Sequence, residues 1–149
     1  MKKTRAMIDR VEKRLFEYLS EKYDFKYTMT NTYAPVDGVL IKDNKIERVV
    51  EVKCRWMSLQ ELKSRGSYLI SYDKILHGRE ASRAFKAPFF ILLYLVLSDN
   101  IVAIQMTRED GEFISAFETE VTTTKKNMYG GKVDRQNAYV SLYRMEVIR

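Results

Sequence analysis

Apolar residues near the start of the chain fall at helical spacing. Ile8, Val11, Leu15, Phe16 and Leu19 recur three or four apart between Thr4 and Tyr23, which predicts an amphipathic helix with one apolar stripe. Glu12 falls within that stripe and Glu17 on the polar side; a carboxylate turned toward a core needs a partner there, because burying an unpaired charge is expensive. The period then shortens, and segments 24–30, 36–42 and 46–54 read as strands. The second is apolar on both faces apart from Asp37 (Val36, Val39, Leu40, Ile41), the pattern of an inner strand. The third alternates Glu47, Val49, Glu51, Lys53 and Arg55 on one face with Ile46, Val50, Val52 and Cys54 on the other. Ser58-Leu59-Gln60-Glu61 has the form of a capping box and predicts a short helix ending before Gly66. A further helix is expected over 72–86, closed by Pro88, followed by strands at 89–97 and 101–106 around the turn Ser98-Asp99-Asn100. Residues 112–118 extend the sheet, and the polar stretch 122–136 reads as a mobile basic loop before a last strand at 139–145. With no repeat, low-complexity tract or linker, the reading is one α/β domain over 1–149.

Composition narrows the class. A chain of 149 residues, 46% hydrophobic and 31% charged, can bury a sizeable core without disulfides or structural metal. The longest apolar run, Pro88 to Leu97, is too short to span a bilayer and suits a buried strand. The N-terminus has no basic region followed by an apolar stretch, so no signal peptide is expected; the expected location is the cytoplasm, or a host's cytoplasm for a viral protein. The single cysteine, Cys54, excludes an internal disulfide and a cysteine-based zinc site. A net charge of +6 favours polyanionic partners.

The chemistry concentrates on two consecutive strands. If 36–42 pairs with 46–54 through the turn Lys42-Asp43-Asn44-Lys45, Asp37 at the start of one lies near Glu51 late in the other. Lys53, two positions on, shares a face with Glu51. Two carboxylates and an ammonium group then meet, the minimal set for holding a hard divalent cation and placing a water against a phosphodiester. An E-x-K pattern alone is common on half-exposed strands whose charges pair in solvent. Asp37, on an otherwise apolar strand, and Glu12, on the buried face of the first helix, give it weight.

With Pro35-Val36-Asp37 as the P-D element, one residue inserted, and Glu51-Val52-Lys53 as the (D/E)-X-K element, the chain resembles the PD-(D/E)XK nuclease superfamily, and among its members the small phage or Holliday-junction-resolvase-like ones. The resemblance implies a restriction-endonuclease-like fold: an αβββαβ core with a mixed central sheet flanked by helices. It covers Thr4 to Leu97, with Ile101 to Met106 as a further strand, and matches loosely beyond. It implies that Asp37, Glu51 and the Val52 carbonyl ligate Mg²⁺ or Mn²⁺. Lys53 would orient the attacking water, lower its pKa or offset charge at phosphorus. Glu12 matches the first-helix acid that binds metal directly or through water. Products with 5′-phosphate and 3′-hydroxyl ends are likewise implied.

Other residues bear on substrate. Lys74 resembles a helix-borne lysine that some members place near the metal, although a solvated helix lysine is the plainer reading. Arg79 and Arg83, one turn apart with Lys86 nearby, form either a phosphate-contacting face or a solvated one. Lys125, Lys126, Lys132 and Arg135 are candidates for backbone contacts, and Trp56 and Tyr68 for stacking on unpaired bases or for the core. His77 is expected on a helix surface. The expectation is a metal-dependent nuclease acting on DNA, structure-specific in recombination or repair; the alternative is a non-catalytic nucleic-acid-binding module on the same fold. A homodimer would let one site per chain cut both strands together.

Overall fold

Hairpin geometry organises the N-terminal half. The computed structural model describes residues 5–29, 36–124 and 133–149. Helix α1 (Arg5–Tyr23) leads into strands β1 (Lys26–Met29), β2 (Gly38–Lys42) and β3 (Lys45–Arg55), which pair as an antiparallel meander. Asp43 and Asn44 close the β2–β3 turn at φ 52° and 60°; Asp and Asn tolerate this left-handed conformation, and the pair supplies the twist a two-residue hairpin needs. After β3 come α2 (Leu59–Arg65), β4 (Ser67–Ser71), α3 (Tyr72–Phe85), β5 (Phe89–Leu95), β6 (Asn100–Gln105), β7 (Phe117–Thr124), β8 (Val133–Ser141) and β9 (Met145–Val147).

β5 returns parallel to β3, with Glu51 opposite Ile91, so the central sheet is mixed and runs β1-β2-β3-β5-β6-β9. A parallel return needs a crossover, and α2, β4 and α3 provide it. One face of the sheet (Val50, Val52, Leu92, Ile101, Ala103) packs beneath Leu15, Phe16 and Leu19 of α1. The other (Val49, Ile91, Leu93, Ile104) packs beneath Ile75 of α3, Leu62 of α2 and a second sheet, ordered β4-β8-β7, which contributes Tyr68, Ile70, Ala138 and Val140. Ser58 caps α2, its Oγ accepting from the Glu61 amide at 3.1 Å, and Gly66 ends the helix at φ 76°.

Three expectations are corrected. The alternation along β3 breaks at Glu47: Leu40 pairs with Arg48 but Ile41 with Ile46, a bulge that places Ile46 on the same core as Val49 rather than beside Val50. Residues 67–71, which gave no separate signal, form β4, paired with a strand some seventy residues later in the chain. The described parts of the expected basic loop 122–136, residues 122–124 and 133–136, are strand: β7 begins at Phe117, not 112, and pairs with β8 through Thr124↔Val133. Residue 113 makes only an isolated bridge to Thr107. The β-branched run Val121 to Thr124 favours this strand.

α3 lies unusually close to the sheet at Gly78, where a Cβ would stand 2.2 Å from the Phe89 ring. That approach sets the height of Lys74, one turn earlier. Gly78→Ala is expected to cost about 1–3 kcal/mol through overpacking, measured by urea denaturation; an unchanged midpoint would show that the helix shifts freely.

Candidate active site

Asp37 stands where β2 meets the middle of β3. Its amide donates to the Val50 carbonyl at 3.1 Å, and its Oδ2 accepts from the Val52 amide at 2.7 Å. The β2 register ends at Gly38↔Val50, so the Asp37 carboxylate takes over the ladder position that a further β2 residue would occupy. Alternate residues of a strand direct both backbone groups to one side; the Val52 carbonyl therefore projects toward the Asp37 side of β3. Gly38, next in sequence, admits the Phe16 ring of α1, since a Cβ there would lie 2.7 Å from it.

Glu51 points to the opposite face from Val50 and Val52, under α3, and is 0% exposed. Lys53 Nζ lies 3.2 Å and Lys74 Nζ 3.4 Å from its Oε1. Oε2 is buried with no hydrogen-bond partner among the described residues. Burial pushes the Glu51 carboxyl above its usual 4.5, and the neighbouring Asp37 charge adds to this; the two lysines pull it back only in part.

The expected trio Asp37, Glu51 and Lys53 is thus brought together, with the Val52 backbone between the acids. Lys74 is a member of the same group rather than a solvated helix lysine. Glu12 is half-buried on α1, which covers the other face of the sheet, and no third His, Cys, Asp or Glu among the described residues joins Asp37 and Glu51 in a group able to hold a metal. Arg79 and Arg83 do not share a free face. Arg79 lies 5.4 Å from the Phe113 ring centroid, and both arginines approach Glu80. Arg135 is exposed on β8, while Lys125, Lys126 and Lys132 lie outside the described residues. His77 is exposed and Tyr68 is buried. Arg55, which no motif singles out, continues the Glu51–Lys53 row, and that alternation is its signal in the sequence.

A profile of the family described as "Phage putative PDDEXK endonuclease" matches residues 4–140. The chain belongs to this family. No curated protein matches it. Membership agrees with the observed topology, a mixed six-stranded sheet flanked by helices in the restriction-endonuclease-like manner. Membership makes the chain a nuclease by family, and nucleic acid is the substrate that family implies. No helix among the described residues is long and apolar enough to cross a membrane.

The donor set fits a hard divalent cation: carboxylate and carbonyl oxygens, with both Glu51 oxygens buried and lacking a hydrogen bond among the described residues. This has a measurable consequence for stability. A carboxyl whose pKa is higher folded than unfolded favours folding below the unfolded value, and that contribution is lost as pH rises through the folded value. Without metal, Glu51 therefore works increasingly against the fold as pH rises. At pH 8, Glu51→Gln is expected to melt higher than the native chain in EDTA by of order 1 kcal/mol, the worth of about a tenfold change in carboxyl acidity, about 2–4 °C for this size. The gap should shrink toward pH 4.5. A variant melting lower at pH 8 would contradict the assignment.

Proposed function

We propose that the protein is a divalent-metal-dependent nuclease that hydrolyses phosphodiester bonds in DNA, working as one catalytic unit over 1–149. The observation that carries this reading is the buried Glu51 carboxylate beside Asp37, with two lysines on one of its oxygens and the other unpartnered. Asp37, Glu51 and the Val52 carbonyl would hold Mg²⁺ or Mn²⁺. A cation there neutralises phosphate charge and makes water a better nucleophile near neutral pH, so no catalytic histidine is needed.

The chain's own residues do the rest. Lys53 and Lys74 both lie on Oε1, which partly offsets the effect of burial on the ionised form of Glu51 and leaves Oε2 for the metal side. Lys53, partly exposed beside the acid, orients the attacking water and offsets charge developing at phosphorus. Asp37 is fixed by the Val52 amide, so its carboxylate is set before substrate arrives. Glu12, half-buried on the helix that covers the other face of the sheet, is assigned an auxiliary role. A structure-specific role in recombination or repair, and a homodimer for paired cuts, are the contexts that suit a chain of this size.

The test is cleavage of end-labelled single-stranded, duplex, flap and four-way-junction DNA in Mg²⁺, Mn²⁺ or EDTA. Cleavage should require metal and disappear in Asp37→Asn, while Lys53→Ala should lower the rate about 10²–10³-fold. Undiminished cleavage by either purified variant would sink the assignment. Metal-independent binding without products would establish the binding-module reading instead.

A further inference from the structure

A cavity of about 390 Å³ opens beyond Lys53, between the end of β3, α2 and the second sheet. Arg55, Arg65, Tyr68 and Tyr139 line it together with Met57 and Leu62, and no carboxylate lines it. Arg55 follows Glu51 by four residues on the same strand face, about 13 Å along the strand. Its guanidinium lies 5.7 Å from the Tyr68 ring centroid and donates to the Cys54 carbonyl at 3.2 Å; among the described residues no carboxylate pairs with it. Arg65 is steadied by Glu61 at 2.9 Å.

Tyr68 supplies an independent sign. The residue is 2% exposed, lines the cavity, and its hydroxyl proton has no acceptor among the described residues; the nearby Arg55 can only donate to its oxygen. Burial pushes the phenol up to about 12, with Arg55 drawing it the other way, so the hydroxyl remains a proton donor at every working pH. A buried donor lacking an acceptor, beneath an arginine lacking an anion, describes a site one phosphate oxygen would satisfy. The cavity also has the size of a small-ligand pocket. Tyr139, on β8 across from β4, adds an aromatic residue to the lining.

We propose that this cavity is a nucleotide subsite beside the metal centre. It takes one unpaired nucleotide of the substrate strand, with its phosphate on Arg55 and the Tyr68 hydroxyl, Arg65 at the mouth, and its base against Tyr139. The proposal rests on the nuclease reading for its purpose, not for its test. A cavity of this volume admits one splayed nucleotide and no base pair, so the substrate class it selects is single-stranded or locally unpaired DNA.

The test measures binding in EDTA, where no cleavage intervenes, by fluorescence anisotropy of a labelled single-stranded oligonucleotide and a blunt duplex of equal length. Native chain, Arg55→Gln, Arg55→Lys and Tyr68→Phe are compared across a salt series, with thermal melting to confirm folding. Arg55→Gln should weaken single-strand binding about tenfold and reduce the log–log salt slope by about 0.7, one phosphate contact on a single strand. Arg55→Lys should restore the slope, and Tyr68→Phe, which removes only the hydroxyl, should weaken single-strand binding with duplex binding unchanged. Native affinity and slope in both Arg55→Gln and Tyr68→Phe would overturn the subsite. Equal losses on single strand and duplex would overturn its selectivity for unpaired nucleotides. Because Asp37→Asn cleavage is read separately, unaltered binding with intact metal-dependent cleavage would remove the subsite alone, and Arg55-dependent binding without cleavage in any metal would remove the nuclease alone.

Discussion

A carboxylate taken wholly out of water is the constraint around which this molecule is arranged. Glu51 sits in the row between Val49 and Lys53, on a face otherwise filled by Ile75, Ile91 and Leu93. Burying such a charge costs several kcal/mol unless it is compensated. The compensation comes from two directions: Lys53 from the same strand and Lys74 from the helix above. It is incomplete, since the carboxyl remains harder to ionise than in water. A site built only for stability would hold an apolar residue at this position. One that must bind a cation gains from an ionisable oxygen already stripped of solvent, because desolvation has been met during folding rather than on binding.

The second lysine depends on how closely α3 approaches the sheet. At Gly78 the helix rests on the Phe89 ring with no room for a side chain, and Lys74 lies one turn nearer the helix start. The first carboxylate depends on a comparable approach at the other face, where Phe16 of α1 covers Gly38 beside Asp37. Two glycines, one on each side of the sheet, thus fix the layers that position the acids. The Asp37–Val52 hydrogen bond then joins the paired strands at the point where β2 has run out of ladder. Asp37 both caps a strand amide and presents charge, which accounts for a carboxylate on an otherwise apolar segment.

Local signals reported local geometry well. The α1 stripe, the Asp43-Asn44 turn, the Ser58 cap and the convergence of Asp37, Glu51 and Lys53 all follow from residues within one helix or hairpin. What escaped depends on partners distant in sequence. β4 is five residues long and is a strand because β8 lies beside it. The bulge at Glu47 leaves no mark on a polar–apolar pattern, because the flanking residues satisfy either phase. Lys74 reads as a solvated helix lysine until the helix is placed over Glu51. Tyr68 reads as either a stacking platform or a core residue, and the fold buries it at 2% exposure beside the cavity.

β3 therefore carries a graded row of chemistry on one face: apolar at Val49, acidic at Glu51, cationic at Lys53 and again at Arg55. Successive members stand about 6.6 Å apart, twice the rise per residue. The anionic end is buried beneath α3, and the cationic end emerges toward the cavity lined by Tyr68 and Tyr139. A polyanion drawn to the arginine end is led along the strand to the lysine and then to the acids, which repel it unless a cation intervenes. In the proposed nuclease, the same order that invites phosphate would make its final approach conditional on metal, and a single strand, with its i and i+2 periodicity, would be sufficient to encode both.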